Sequence, residues 1–224
     1  MSTAVHVRVN TSLLAASEKR LLIWIAGRLP RWIHSDHLSA LGLAAMAGAG
    51  AAFWLMRMDP IAGAGLVTLS LLLNWFGDSL DGTLARVRNR LRPRYGYYVD
   101  HIIDLTGTAM LFAGLAASQY MSPMVAALFV ASFFLVSAEA YLATHARGVF
   151  KISFLGVGPT ELRILLAAGA FAAAATPTVT PFGLFEVRLF DLGGIVGGAG
   201  MIMAFVITSI GNTRALYREE TQRL

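Results

Sequence analysis

The chain has 224 residues, of which 56% are hydrophobic and only 14% are charged, and its formal net charge is +5. Soluble domains contain about 45–50% apolar and about 25% charged residues, so this composition excludes both an ordinary soluble enzyme and a disordered chain. The absence of cysteine excludes disulfides, zinc–cysteine sites, iron–sulfur clusters and a thiol nucleophile, and the composition as a whole predicts an integral membrane protein.

The N-terminal segment has an amphipathic pattern rather than that of a secretory signal. Apolar residues recur at helical spacing over 13–29, but Glu18, Lys19 and Arg20 interrupt them and no small-residue cleavage site follows. Such a helix is typical of one that lies in the membrane surface, and the alternative is a loosely ordered tail. Pro30 ends the helix, and we assign residues 1–35 to an N-terminal tail and interfacial helix.

Six later stretches are each apolar enough to cross a bilayer, which requires about 20 mostly apolar residues. They are Leu38–Met58, Pro60–Gly77, Tyr97–Tyr120, Pro123–Ala143, Pro159–Thr176 and Leu189–Ile210. We therefore predict an all-α membrane domain of six transmembrane helices over residues 36–212, with a cytosolic C-terminal tail at 213–224.

Basic residues indicate the orientation of these spans. Six spans place both termini and the loops at 78–96 and 144–158 on one side, and of the 18 Lys and Arg residues only Arg57 and Arg188 lie on the other. Cytoplasmic loops carry the excess of basic residues, so both termini and these loops are predicted to be cytoplasmic. The high positive charge therefore needs no nucleic-acid partner.

Glycines on the last span form two small-residue faces of the kind that let membrane helices pack closely. They are Gly193, Gly194, Gly197, Gly198 and Gly200. Packing inside the chain and a homodimer contact explain them equally well.

Two pairs of aspartates lie at the facing ends of the second and third spans. Asp78 and Asp81 are three residues apart, and Asp100 and Asp104 are four apart, so each pair shares one face of its helix. The two helices are joined by a short loop, so we expect antiparallel neighbours whose four carboxylates meet near the cytoplasmic surface. An aspartate at the centre of a membrane helix costs about 2.5–3.5 kcal/mol, so such a cluster indicates a function.

Four converging carboxylates would repel one another unless cations lay among them. Hard oxygen ligands favour Mg²⁺, Mn²⁺ or Ca²⁺, and two such ions about 3.5–4 Å apart suit displacement at phosphorus. Gly82 and Ala85 leave room for a ligand, and Arg86 offers a planar fork to a phosphate. The alternative is that the aspartates only cap helix ends, which leaves their clustering unexplained.

This region resembles the signature of the CDP-alcohol phosphatidyltransferase family, with all eight fixed positions in order. They read Asp78-x-x-Asp81-Gly82-x-x-Ala85-Arg86 and then Gly96-x-x-x-Asp100-x-x-x-Asp104. The nine residues between the two halves are one more than is usual in the family and include no serine or threonine. Arg92 or Arg94 is the candidate replacement for a phosphate contact made by that hydroxyl.

The resemblance implies a metal-dependent transfer from a CDP-linked donor, with release of CMP. It implies that the four aspartates hold Mg²⁺ or Mn²⁺, that Asp104 accepts the proton of the attacking alcohol, and that the nucleotide side is contacted by Gly82, Ala85, Arg86 and Gly96. The segment at 35–39 is similar to the family's Pro-Asn-x-x-Thr segment, which lies near the nucleotide.

The family contains two versions of this chemistry. CDP-diacylglycerol donates to a soluble alcohol such as glycerol phosphate, inositol phosphate or serine, or CDP-choline or CDP-ethanolamine donates to diacylglycerol. His101 after Asp100, and Glu161 after Thr160, are similar to residues of the second subgroup, so we favour it and expect His101 and Glu161 to relay a proton. The alternatives are a histidine packed at the interface and an ordinary helix start.

Further polar residues are candidates for an acceptor pocket, namely Glu139, His145, Arg147 and Lys151. Arg147, Lys151 and Arg163 suit a phosphorylated acceptor, which favours the CDP-diacylglycerol version. The alternative is that these are basic loop residues that follow the orientation rule.

Two other classes of membrane protein fit less well. Transporter sites usually lie near the bilayer midplane at broken helices in paired repeats, whereas these aspartates lie at span ends and no repeat is apparent. A non-catalytic scaffold leaves the aspartate cluster unexplained. We therefore expect a multi-pass transferase of phospholipid biosynthesis that acts on membrane lipid.

Overall fold

The computed structural model describes residues 15–148 and 159–221, which form seven α-helices and a small hairpin. The helices are α1 (Ala15–Ala26), α2 (Ser35–Leu55), α3 (Pro60–Val87), α4 (Pro93–Ala117), α5 (Pro123–Arg147), α6 (Pro159–Ala175) and α7 (Leu189–Thr221). The predicted all-α membrane fold with an N-terminal helix is confirmed. The antiparallel strands β1 (Thr178–Val179) and β2 (Val187–Arg188) were not predicted, because two-residue strands leave no alternating pattern.

Five of the described helices are long and apolar enough to cross a membrane, namely α2, α3, α4, α5 and α7. The sixth candidate, α6, has 17 residues, which span about 25 Å and stand at the lower limit for a spanning helix. The protein is therefore an integral membrane protein. The sixth span and the cytoplasmic placement of the termini stay predictions.

The predicted starts of α3, α5, α6 and α7 match the structure, whereas α4 begins at Pro93 rather than Tyr97. A proline stands at the first position of α3, α4, α5 and α6, where its missing amide hydrogen costs no helical hydrogen bond. However, α3 continues past Gly77 to Val87, and α7 continues to Thr221 into the predicted C-terminal tail. Hydropathy indicates where a helix leaves the apolar layer, and not where its backbone hydrogen bonds end.

The N-terminal helix packs on the last turns of α3. Leu22 and Ala26 of α1 are buried in a cluster with Leu80 and Leu84 of α3. Trp24 of the same helix is 55% exposed. The apolar residues of α1 are thus divided between α3 and the outside, and the location of α1 in the membrane surface stays a prediction.

The main apolar core lies at the end of the bundle opposite to the aspartates of α3. It includes Phe53 near the end of α2, Val67 near the start of α3 and Leu115 near the end of α4. Phe190 of α7 meets Phe53 edge to face with a centroid separation of 5.2 Å. This core joins the helices at the end of the bundle away from Asp78 and Asp81.

Close packing of α2 on both α3 and α4 positions the aspartates. A Cβ on Gly77 of α3 would stand 2.5 Å from the carbonyl oxygen of Leu38. A Cβ on Gly114 of α4 would stand 2.1 Å from the carbonyl oxygen of Gly50. We expected α3 and α4 to pack directly against each other, but this prediction is wrong, because each of them packs against α2 and the two make almost no contact with each other.

Glycines of α7 face α5 within the chain. A Cβ on Gly194 would stand 2.8 Å from the Val125 side chain, and one on Gly197 would stand 3.0 Å from the Phe129 ring. Packing within the chain accounts for these two glycines. The homodimer contact stays a prediction.

Candidate active site

Asp81 is held by the first turns of α2 and by its own backbone. Ser39 Oγ donates to Asp81 Oδ2 over 2.6 Å, and Ser35 Oγ donates to the Asp81 carbonyl oxygen over 2.9 Å. The amide of Gly82 donates to the other carboxylate oxygen. Ser35 and Ser39 are one helical turn apart, so α2 presents both hydroxyls to the same point on α3.

Asp78 is paired with an arginine of α6. Arg163 Nη2 lies 2.5 Å from Asp78 Oδ2, and Arg163 Nε donates to Asn74 Oδ1 over 2.7 Å. Asn74 is buried, and its amide donates to the carbonyl oxygen of Gly42 over 3.0 Å. The Arg163 side chain is only 15% exposed, so a fixed cation stands beside the carboxylates.

The aspartates of α4 lie at the same end of the bundle. Asp81 is within electrostatic range of both Asp78 and Asp100, so these three carboxylates form one negatively charged region. Asp104 is exposed and lies within electrostatic range of the Tyr141 hydroxyl of α5. Asp100 also lies within electrostatic range of the Tyr141 hydroxyl, so Asp104 is not set apart from Asp100, and the meeting of all four carboxylates stays a prediction.

The donor set suits a divalent cation in its chemistry, because Asp78, Asp81 and Asp100 all supply hard oxygen ligands. Among the residues at 15–148 and 159–221, no three acidic or histidine side chains are gathered closely enough to hold a metal ion. Arg163 engages one oxygen of Asp78, and both carboxylate oxygens of Asp81 accept hydrogen bonds. Binding of a cation therefore requires these side chains to turn from their present partners.

The remaining motif residues border open space. The described atoms nearest to a Cβ on Gly82 would be the Arg86 guanidinium nitrogens, at 3.8 and 3.9 Å, and Gly96 has no described atom within 4 Å of such a Cβ. Arg86 is exposed and donates to Thr83 Oγ1 over 3.1 Å. A shallow depression nearby is lined by His34, Ser35, Leu84, Ala85, Arg88 and Arg90. The nucleotide-binding role of these residues stays a prediction.

An ion pair between Asp36 and Arg92 ties the connection between α3 and α4 to the start of α2. The hydrogen bond from Arg92 to Asp36 raises the pKa of Arg92, so this guanidinium keeps its charge. Arg92 also lies over the Tyr95 ring, 4.2 Å from its centroid. A phosphate would have to compete with a carboxylate for Arg92, which weakens its proposed role as the replacement phosphate contact.

His101 is packed among aromatic side chains. Its Nδ1 lies 2.6 Å from the carbonyl oxygen of Tyr97, and its ring lies 4.1 Å from the Tyr97 ring and 4.7 Å from the Tyr141 ring. Glu161 lies in the first turn of α6, as an acidic residue at a helix start does. These surroundings fit the alternatives of a packed interfacial histidine and an ordinary helix start. The proton relay between His101 and Glu161 stays a prediction.

The candidate acceptor residues on α5 make contacts with α7. Asn212 Nδ2 donates to Glu139 Oε1 over 2.6 Å, and Arg147 Nη1 donates to Asn212 Oδ1 over 2.6 Å. His145 is exposed, and Lys151 lies outside the described residues. The structure gives Glu139 and Arg147 a role in joining α5 to α7, and their part in acceptor binding stays a prediction.

The contacts of Ser39 and Asn74 were not foreseen from the sequence. The available signal for Ser39 was its position one turn after Ser35 at a helix start. The signal for Asn74 was a polar residue inside an apolar span, one turn before Asp78, because polar groups in membrane helices usually have a partner there.

Comparisons with known proteins point to one family. The sequence model of CDP-alcohol phosphatidyltransferases matches residues 37–210. Among solved structures, the phosphatidylinositol phosphate synthase of Mycobacterium tuberculosis with CDP-DAG bound has a TM-score of 0.61 and 20% sequence identity, over 88% of this chain and 94% of that one. The two proteins therefore share a fold. No curated protein sequence matches this chain significantly.

Proposed function

Because the chain belongs to the CDP-alcohol phosphatidyltransferase family, we propose that it transfers a phosphatidyl group from CDP-diacylglycerol to a phosphorylated, water-soluble alcohol. The family match makes it a phosphotransferase enzyme of phospholipid biosynthesis. Our first expectation was a CDP-choline or CDP-ethanolamine donor. The comparisons favour the CDP-diacylglycerol alternative instead.

The position of Arg163 carries this proposal. Its guanidinium is mostly buried and lies against Asp78, next to the carboxylates that define the family motif. The planar fork of arginine matches the oxygens of a phosphate, so a phosphorylated acceptor would find a fixed, charged partner here. Diacylglycerol carries no charge for Arg163 to recognise, and a choline or ethanolamine head group would be repelled by it.

Two further observations support the same donor. The solved structure of similar fold contains CDP-DAG. The packing of His101 between Tyr97 and Tyr141 also gives that residue a structural role that does not depend on the choline and ethanolamine reaction.

The aspartates would supply the chemistry of the transfer. Asp78, Asp81 and Asp100 are the residues that would hold divalent cations, on which the family generally depends. Such ions, when bound, neutralise the charge of the donor's pyrophosphate. Ser39 and the amide of Gly82 orient the Asp81 carboxylate by their hydrogen bonds.

Asp104 would take the acceptor's proton; its exposure and its position one turn from Asp100 support this role. The acceptor oxygen forms a bond to the phosphorus that carries diacylglycerol. The bond from that phosphorus to the oxygen bridging it to CMP breaks, and CMP leaves with the electron pair.

The test is a matrix of donors and acceptors with purified protein and Mg²⁺ or Mn²⁺. CDP-diacylglycerol is offered with glycerol phosphate, inositol phosphate, inositol or serine, and CDP-choline or CDP-ethanolamine is offered with diacylglycerol. We expect new phospholipid and CMP only from CDP-diacylglycerol with a phosphorylated alcohol. Product from CDP-choline or CDP-ethanolamine alone would overturn the donor, and equal rates with inositol or serine would overturn the role of the acceptor phosphate.

The role of Arg163 is tested by a pair of matched variants. Arg163→Gln is expected to raise the KM of the phosphorylated acceptor at least about 10-fold, because hydrogen bonds to a charged group contribute about 1.5–3 kcal/mol. Arg57→Gln, which removes an exposed arginine just after the end of α2 and away from the aspartates, is the control and is expected to leave that KM unchanged. Equal effects of the two variants would contradict the assignment.

A further inference from the structure

We propose that Glu18 of the N-terminal helix is a positioning residue, which fixes the first turn of α6 and thereby holds Arg163 at the active site. The inference rests on the proposed function, because it treats Arg163 as the contact for the acceptor. It concerns a residue that belongs to no part of the family motif and lies far from it in the sequence.

One carboxylate joins three helices at this point. Glu18 Oε1 accepts hydrogen bonds from Trp75 Nε1 over 2.6 Å and from Ser79 Oγ over 3.3 Å, both on α3. The same oxygen accepts from Thr160 Oγ1 of α6 over 3.1 Å. Trp75 and Ser79 are one helical turn apart, so they present both donors to the same oxygen.

The start of α6 is thus attached to α3 at two points. Thr160 and Arg163 are three residues apart and share one face of α6. Thr160 reaches α3 through Glu18, whereas Arg163 contacts Asp78 directly. Arg163 also donates to Asn74, so the contacts of Thr160 and Arg163 together fix the position and rotation of the first turn on α3.

The N-terminal helix is itself held firmly enough to act in this way. Its Leu22 and Ala26 are buried on α3 next to the Glu18 contact. Beyond its last turn, Arg88 of α3 donates to the carbonyl oxygens of Leu29 and Pro30 over 2.8 and 3.0 Å. Glu18 therefore transmits a fixed position from α3 to α6.

The carboxylate charge matters for the strength of this link. Hydrogen bonds to an ionised acceptor are about twice as strong as those between neutral groups. Glu18→Gln keeps the shape of the side chain and weakens the bonds, whereas Thr160→Val removes only the donor on α6 and keeps the volume. The second variant isolates the step from Glu18 to α6.

The kinetic test uses Thr160→Val, the conservative Thr160→Ser, and Thr178→Val as a matched control. Thr178 lies beyond the other end of α6, and its hydroxyl donates to Glu186 over 2.6 Å. Thr160→Val is expected to raise the acceptor KM about 3- to 10-fold with kcat and the donor KM unchanged, because only part of the effect of losing a hydrogen bond to a carboxylate passes through α6 to Arg163. Thr160→Ser is expected to restore the acceptor KM, and Thr178→Val to leave it at the wild-type value.

A distance measurement tests the same proposal without activity. The chain contains no cysteine, so spin labels attach only where one is introduced. The side chains of Leu72 on α3 and Leu165 on α6 are 57% and 67% exposed. Spin labels on Leu72→Cys and Leu165→Cys therefore report the distance between the two helices. We expect a narrow distribution in the otherwise unchanged chain and with Thr178→Val, and a broadened or shifted one with Thr160→Val or Glu18→Gln.

The outcomes separate this inference from the proposed function. An unchanged distribution with Thr160→Val, or a loss of kcat without a change in acceptor KM, overturns the positioning role of Glu18. If the wild-type protein makes no phosphatidyl product but the distance responds to Thr160→Val, the proposed function fails and the link from Glu18 to α6 stands.

Discussion

Replacing Gly77 by alanine is expected to push α2 and α3 apart beside the aspartates. The new Cβ would stand 2.5 Å from the carbonyl oxygen of Leu38 and 2.7 Å from the amide nitrogen of Gly42, and these backbone atoms cannot rotate away. Ordinary contact begins near 3.4 Å, so the helices must separate by roughly 1 Å. Overpacking of this kind costs about 1–3 kcal/mol of unfolding free energy.

The same displacement is expected to impair catalysis. Asp78 follows Gly77 directly, and Asp81 is bonded to Ser39 across the interface that must open. A misplacement of about 1 Å costs about 100-fold in rate, so kcat/KM for CMP release is expected to fall by about that factor.

Gly65→Ala on the same helix is the matched control, because a Cβ there meets no described atom within 4 Å. Alanine exceeds glycine in helix propensity by about 1 kcal/mol, so this variant should unfold at or above the wild-type temperature. Thermal unfolding and CMP release are measured on the same detergent-purified samples. A Gly77→Ala protein with wild-type stability and activity would refute the close approach of α2 and α3.

Three further predictions concern the metal, the carboxylates and α5. EDTA is expected to abolish CMP release and Mg²⁺ or Mn²⁺ to restore it; activity that persists in EDTA would contradict metal dependence. Asp100→Asn is expected to lower the rate of CMP release by about 10²–10³-fold while the melting curve is kept, and an unchanged rate would contradict an enzyme site at Asp100. Asn212→Leu is expected to cost about 1–3 kcal/mol of unfolding free energy, because it breaks the hydrogen bonds to Glu139 and Arg147. If these bonds only join α5 to α7, the acceptor KM stays unchanged. A raised acceptor KM with unchanged unfolding would instead place those two residues in the acceptor pocket.

The helical fold was predictable because its signals are local. Long apolar stretches indicate membrane helices, and a proline at the first position marks the start of four of them. The end of α3 was not predictable in the same way, since the residues after Gly77 are polar enough to leave the membrane but still favour a helix. The packing of α2 against both α3 and α4 depends on glycines whose partners are distant in the sequence.

The residue types of the site were also predictable, and their partners were not. The spacing of Asp78 and Asp81 shows that they share a helix face, because that relation depends only on the helical period. Nothing in the spacing indicates that Arg163 would meet Asp78, because the two residues lie on different helices and meet only after packing. The same holds for Glu18, whose three donors come from two other helices.

The resemblance of His101 to one subgroup rests on a short motif, and its role stays a prediction. The neighbouring Asp100 belongs to the family pattern, but the histidine ring packs against Tyr97 and Tyr141 in the structure. A two-residue match specifies side-chain types and not their surroundings. Substrate choice is therefore better argued from Arg163, whose charge and position are both defined.

The most direct test is a crystal structure with Mn²⁺ and CDP-diacylglycerol, in which the anomalous signal locates manganese. It asks whether the end of the bundle that carries Asp78, Asp81 and Asp100 is a catalytic metal centre. We predict manganese peaks between the carboxylates of Asp78, Asp81 and Asp100, with the pyrophosphate of the donor against them. A complex that contains the donor but shows no manganese at these side chains, with Asp78 still paired to Arg163, would contradict the account.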